Sequence, residues 1–216
     1  MTAPIGKGRT QPPPSDYQIL LPDGWFRITL EPEGRRQSVD GLVNRQFSGV
    51  DNEPRLRRLL RQELVERATD AFDRGGIELY ISLQQAGSLT IPASLLITLI
   101  PPMNPGEQLP SLRELADILE AEGGEGRTVS MTELAAGTAM RVRVDPNAAA
   151  AQPPGFTRAS EEDVEALPSV TVDFQLGVPR SGMNLLLTFS TPLVQIADAM
   201  VELFDAVAGS LRWKDE

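Results

Sequence analysis

Residues 128–144 read TVSMTELAAGTAMRVRV, and the two arms of this stretch predict a β-hairpin. The second arm, residues 139–144, alternates strictly in polarity. Arg141 and Arg143 fall on one face of this strand, and three apolar side chains fall on the other, namely Met140, Val142 and Val144. Because hairpin-length connections join antiparallel neighbours, the stretch predicts an antiparallel sheet.

The same pattern of paired strands recurs on both sides of this hairpin. Apolar runs at 77–84 and 93–100 are joined by a loop around Gly87, and runs at 169–178 and 184–190 flank a turn at 179–182. A strand at 25–30 follows the turn Pro22-Asp23-Gly24, and a short run at 17–21 precedes that turn. Residues 42–50 are interpreted as a strand or a loop.

Helical periodicity separates the strand pairs. Apolar residues recur every four positions from Leu56 to Phe72 and predict a helix over 54–74, with Asn52 as its N-cap. A second helix follows Ser111, with Glu114 placed to support the cap. A third is predicted over 192–211, with Arg212 and Lys214 just after it, and Ser160 with Asp163 predicts a short helix.

These elements predict an α+β fold with a largely antiparallel central sheet of about six to eight strands and helices packed on it. The order resembles the fold shared by the photosystem extrinsic protein PsbP and the Ran-binding Mog-type import factors. The elements that carry the resemblance are the opening Pro22-Asp23-Gly24-Trp25-Phe26, the two strands after the long helix, and residues 185–191 leading into the closing helix. The resemblance implies an α/β/α sandwich whose members mostly bind other macromolecules, and it identifies no binding residue.

The chain is expected to form a single domain over residues 16–216, preceded by a flexible proline-rich tail at 1–15. A loop near 145–160, rich in Ala and Pro, is predicted to be mobile. The cationic residues comprise eighteen arginines and two lysines, a bias that suggests a GC-rich bacterial source.

The side-chain inventory argues against catalysis. The chain has no His and no Cys, and its two lysines, Lys7 and Lys214, lie near the termini. Triads, thiol nucleophiles, Schiff-base lysines and zinc or haem ligation are therefore excluded or disfavoured. We predict a non-enzyme without metal or cofactor. A hydrolase that uses two carboxylates, or a small-ligand carrier, is the alternative. Asp173, in phase with Thr171, is interpreted as lying on the outer face of a half-buried strand.

The charge balance limits the class of partner. A net charge of −10 argues against nucleic acid and against anionic lipid surfaces. The apolar run at 91–100 is about half a membrane span, and residues 1–16 contain no apolar segment of signal-peptide length. We therefore predict a cytoplasmic protein that does not insert into membranes.

Two groups of arginines are candidate binding residues for a protein partner. Four lie at the start of the long helix, where cations oppose the helix dipole, namely Arg55, Arg57, Arg58 and Arg61. Arg141 and Arg143 could join them if their strand face is not covered by a helix. The structural alternatives are compensation by nearby acids for the first group and packing beneath a helix for the second. Homo-oligomerisation is left open.

Overall fold

A computed structural model describes residues 12–48, 53–86, 89–104, 107–124, 126–146 and 168–214. Its elements in chain order are β1 Asp16–Gln18, β2 Trp25–Ile28, α1 Pro32–Gln46, α2 Pro54–Asp73, β3 Gly76–Ala86, β4 Leu89–Ile100, α3 Leu112–Glu122, β5 Arg127–Leu134, β6 Gly137–Val144, β7 Val170–Gly177, β8 Asn184–Thr191, α4 Ala197–Gly209 and β9 Arg212–Lys214. A single 3-10 turn, Val194–Ile196, leads into α4.

The central sheet has seven strands in the order β2-β3-β4-β8-β7-β6-β5, and every neighbouring pair is antiparallel. The predicted α+β class and the predicted strand number are confirmed. β1 and β9 form a separate two-stranded ribbon. The ribbon is fixed to the sheet through its central residue pair, because the Tyr17 hydroxyl donates to Glu78 and Trp213 Nε1 donates to the carbonyl of Ala136.

The strand register defines the two faces of the sheet. One row of directly opposed residues crosses all seven strands, and it consists of Ile28, Leu79, Leu96, Thr188, Asp173, Val142 and Val129. Side chains in this row share one face because the side-chain period along a strand is two. Neighbouring residues such as Leu95 and Phe174 lie on the other face.

The face that contains Leu95 and Phe174 is covered by α4, and we call it the α4 face. Its core is continuous across β4, β8 and β7 and includes Phe189 and Phe204, both fully buried. The Phe189 ring meets Phe174 edge to face at 5.9 Å and stacks on Phe204 of α4 at 4.9 Å. This core holds the largest buried side chains and fixes α4 to the sheet.

The opposite face carries α1, α2 and α3, and we call it the three-helix face. It has two separate cores. Ile28, Leu79 and Ile81 pack under α1 and α2 at one end of the sheet. Met140 and Val142 pack under Ala116 of α3 at the other end. The middle strands of this face therefore lie between two groups of helices.

One predicted segment was wrong in kind. The segment assigned to a strand or loop at 42–50 belongs, as far as Gln46, to α1. Pro32 opens this helix at a position where its missing N–H costs nothing. Gly34 and Gly41 lower the helical propensity of α1, so tertiary contacts of Val39, Leu42 and Val43 must hold it.

The chain ends also differ from the prediction. The first strand is Asp16–Gln18 and not 17–21, and the last helix ends at Gly209. Arg212 and Lys214 lie in β9 instead of a helical end, where Lys214 Nζ bonds Asp16 at 2.9 Å. Pairing with β1 makes the terminal residues extended.

The last helix also begins later than the predicted residue 192, at Ala197, whereas the predictions for α2 and α3 agree with the structure. α2 spans Pro54–Asp73, and Ser111 with Glu114 forms a complete capping box at α3. The proposed Asn52 cap, the Ser160 helix, most of the 1–15 tail and most of the 145–160 loop lie outside the described residues. No helix in the part of the chain that the structure describes is both long and apolar enough to cross a membrane.

Candidate functional site

The middle of the three-helix face carries polar side chains where a sheet under helices usually carries apolar ones. Seven half-buried residues of β4, β8 and β7 form this central polar strip, namely Ser94, Thr98, Thr188, Ser190, Thr171, Asp173 and Gln175. The Thr188 hydroxyl interacts with the Asp173 carboxyl and lowers its pKa, and no other pair of side chains in the strip is hydrogen-bonded within the described residues. Half-buried polar groups without protein partners are expected to bind water or a ligand.

Asp173 is the charged residue of the central polar strip. Its Oδ1 is shielded from solvent and has no hydrogen-bond partner among the described residues, although the residue as a whole is half-buried. Burial raises the pKa of Asp173 to about 6, and the hydrogen bond from Thr188 lowers it again in part. The outer strand face on which Asp173 was expected is partly covered, because helices flank it on both sides, so the carboxylate is less solvated than an open strand face would leave it.

The strip has the chemistry of a hydrogen-bonding site with one titratable group. Its hydroxyls donate and accept, the Gln175 amide does both, and Asp173 accepts when ionised and donates when protonated. A pKa near 6 lets Asp173 exchange a proton around neutral pH, which is a property that clusters at functional sites.

Two of the four helix arginines stabilise the pairing of α1 with α2. Arg57 Nη2 donates to the carbonyl of Phe47 at 2.7 Å, and its guanidinium lies 5.4 Å from the centre of the Phe47 ring. Arg61 forms an ion pair with Asp40 of α1. These contacts hold the end of α1 against α2, so both side chains have a structural role.

Arg55 and Arg58 have no such role in the described residues. Both are exposed, and beside them Leu56 and Leu59 are 50% and 53% exposed. Residues three or four apart are neighbours on a helix, so the four share one side of α2. We call them the basic–apolar patch. Along the apolar stripe that begins at Leu56, burial begins about one turn later, since Leu60 is half-buried and Leu64 is buried.

Arg141 and Arg143 lie on the α4 face, which is covered. Arg141 makes a two-pronged contact with Asp205 of α4 at 2.7 and 3.1 Å and lies over the Phe174 ring at 5.9 Å. Arg143 bonds Asp145 and Asp198, and the hydrogen bond with Asp145 is the largest cause of its raised pKa. Both residues dock α4 onto the sheet.

The structure does not bring the two arginine groups into one site. The helix arginines lie on α2 over the three-helix face, whereas Arg141 and Arg143 point to the α4 face. A combined six-arginine surface is therefore excluded by the sheet between them. Arg55 and Arg58 are the members of the set that are left available to a partner.

A cavity of about 200 Å³ lies between α1 and the β2–β3 edge. Its lining is mixed, with apolar Phe26, Leu42 and Leu83 beside Arg45 and Gln84. No carboxylate lines it, so it lacks the pair that a carboxylate-dependent hydrolase would use. Elsewhere in the described ranges, no three acidic residues converge as metal ligands would.

Sequence reasoning did not find the central polar strip. The alternation of Thr171, Asp173 and Gln175 was visible, but it matches a solvated strand face equally well. The missing information was the strand order β4-β8-β7. This order brings hydroxyl groups that are distant in the sequence close to Asp173.

Comparison with known proteins gives likeness of fold. No family model matches the chain, and no curated protein does. Among solved structures, LpqN of Mycobacterium tuberculosis, described as involved in cell envelope biogenesis, is 8% identical with a TM-score of 0.44, covering 98% of this chain and 90% of its own. The Saccharomyces cerevisiae Ran-binding protein Mog1p is 12% identical with a TM-score of 0.37, covering 65% and 87%. Both similarities are similarities of fold, as is the resemblance to Mog-type proteins that the sequence shows.

Proposed function

We propose that the protein is a non-catalytic interaction module of the cytoplasm that binds an acidic protein surface through the basic–apolar patch. The observation that carries the proposal is the pairing of two exposed arginines with two half-exposed leucines on one side of α2. Arginine is enriched at binding hot spots, and neighbouring apolar side chains can exclude water from its contacts.

The electrostatics of the chain favour a protein partner over nucleic acid. The net charge is −10, and the basic residues of the patch stand out against it. A nucleic acid that contacts a large area would be repelled by the acidic rest of the surface. A small acidic protein surface can bind by contacting α2 alone. The side chains most suited to catalysis, His and Cys, are absent from the sequence.

Charge reversal at the patch tests this function. The variant Arg55→Glu with Arg58→Glu should weaken binding of the natural partner at least about tenfold, since each anchoring arginine of an interface contributes about 1 kcal/mol or more. Partners are first identified by quantitative affinity purification from source cells, and the affinity of the purified partner is then measured by calorimetry at two salt concentrations.

The matched control is Arg36→Glu with Arg113→Glu, which makes the same change of net charge at exposed positions of α1 and α3. Binding should persist in that control and be lost in the patch variant, with both proteins folded by circular dichroism. Equal loss in the two variants would show that total charge acts, and an unchanged affinity in the patch variant would remove α2 from the interface.

A ligand-binding role is the second candidate, and the central polar strip favours it. A small polar compound that donates a hydrogen bond to Asp173 would satisfy groups that lack protein partners. Native mass spectrometry of protein from source cells should then detect a bound compound that Asp173→Asn releases. Wild-type protein that carries no adduct under mild conditions would count against this role.

A further inference from the structure

The outer edge of β5 is the longest unpaired strand edge that the structure describes. β5 closes one side of the seven-stranded sheet and pairs with β6 over all eight of its residues. In the described ranges, no strand bonds to its other side. β2, at the opposite edge of the sheet, has four residues.

The direction of the backbone groups on β5 follows from its ladder with β6. Asp145 N–H donates to the carbonyl of Gly126 at 3.0 Å, just beyond the Arg127–Val144 pair. Bonded and non-bonded pairs alternate in an antiparallel ladder, so even-numbered residues bond to β6 and odd-numbered residues point outward. The N–H of Arg127 is taken by Gly124 at 3.1 Å, which leaves the outward groups of Val129, Met131 and Glu133.

β5 has two charged side chains, Arg127 and Glu133, near its ends, but it lacks the other features that normally block edge pairing. Its register with β6 is continuous, without a bulge, and its sequence RTVSMTEL contains no proline and no lysine. Natural edge strands of this length are usually interrupted by such features or covered, because an open edge is a template for another strand.

We propose that β5 pairs in antiparallel fashion with β5 of a second copy of the chain, with Met131 opposite Met131. This register pairs Val129 with Glu133 of the other copy and uses all three outward N–H groups, giving about six new main-chain hydrogen bonds. The two sheets then form one continuous sheet of both copies.

The side chains of β5 are compatible with a second copy in this register. Met131 meets its equivalent on the three-helix face, beside the apolar contacts of α3. On the α4 face, Ser130 lies opposite Thr132, a hydroxyl pair that favours antiparallel neighbours. No like charges are opposed within the strand. The buried area of one strand edge is below the roughly 1,200 Å² of stable complexes, so dimerisation depends on concentration.

Charge placement at Ser130 and Thr132 tests both the pairing and its register. The variant Ser130→Glu with Thr132→Glu brings like charges opposite each other across the interface and should be monomeric. Ser130→Glu with Thr132→Lys brings opposite charges together and should restore the dimer. The Ser130→Glu change is tolerable in the single chain because Arg141 lies opposite that position on β6.

Sedimentation equilibrium from about 10 μM to about 1 mM gives the result. The wild-type mass should rise from 23.5 kDa toward twice that value, the double-Glu variant should stay at 23.5 kDa, and the Glu/Lys variant should follow the wild type. Equal melting temperatures of the variants at low concentration confirm that each is folded.

A wild-type chain that stays monomeric at about 1 mM would overturn the proposal, as would a double-Glu variant that dimerises like the wild type. A monomeric Glu/Lys variant would overturn the Met131-centred pairing. The patch variant Arg55→Glu with Arg58→Glu should still dimerise, because α2 packs at the other end of the sheet. Failure of the dimer and failure of the proposed function are therefore distinguishable.

Discussion

Replacement of Phe189 by alanine should lower the free energy of unfolding by about 3–5 kcal/mol, the range found for buried phenylalanines. Phe189 lies on β8, the central strand of the sheet, and is fully buried. Its ring contacts Phe174 on β7 and Phe204 on α4, so truncation leaves a cavity that neither neighbour can fill without moving. Urea denaturation followed by circular dichroism measures the change, with the midpoint falling at a constant m-value.

Phe72→Ala is the matched control for this substitution. Phe72 is 41% exposed on α2 and contacts the guanidinium of Arg35 at 5.5 Å, so its loss should cost about 1 kcal/mol or less. A loss below about 1 kcal/mol at Phe189, or equal losses at the two positions, would contradict the α4 packing described above.

The strands of the central sheet and three of the helices could be predicted because their signals are local. The alternation of residues 139–144 and the four-residue spacing from Leu60 to Ala68 each reflect contact with one continuous apolar layer. Ser111 and Glu114 cap α3 through their own backbone, so the whole interaction lies within one turn of chain.

α1 could not be predicted because its stability is not local. Two glycines interrupt the helix, and its buried positions include Arg35, whose guanidinium bonds the carbonyl of Leu30 and the hydroxyl of Thr69 on α2. Judged by composition alone, a weakly apolar segment with an arginine at a core position is not expected to form a buried helix. One of its two partners, Thr69, lies 34 positions away in the sequence.

The fate of the candidate arginines depended equally on distant residues. Arg141 and Arg143 show the same alternation whether the face is open or covered, and the acids that bind them from α4 lie far along the chain, Asp205 being 64 positions after Arg141. For Arg55 and Arg58 the sequence did indicate a binding role, because cations at a helix N-terminus oppose the helix dipole and are unfavourable for the helix itself.

Asp173→Asn should make the protein more stable at pH 8 and leave its stability nearly unchanged at pH 4. The carboxyl has a pKa of 3.8 in an ordinary environment and about 6 in the fold. Its favourable contribution is therefore fully present below about pH 4 and is lost as the pH rises through about 6, because ionisation is harder in the folded state. A shift of about 2 pH units corresponds to about 3 kcal/mol, the upper bound of the expected gain at pH 8.

Asparagine keeps an oxygen that accepts the hydroxyl proton of Thr188, so the substitution removes the buried charge without emptying the site. Chemical denaturation of both proteins at pH 4, 6 and 8 gives the comparison.

The variant Thr188→Val tests the same carboxyl from its neighbour. Losing its hydrogen bond raises the pKa of Asp173 further, so this variant should lose more stability at pH 8 than at pH 4. A difference between wild type and Asp173→Asn that is equal at all three pH values would mean that the carboxylate is hydrated. If Asp173→Asn is more stable than the wild type at pH 8 and also loses a bound compound, then Asp173 lowers the stability of the fold and is needed for binding.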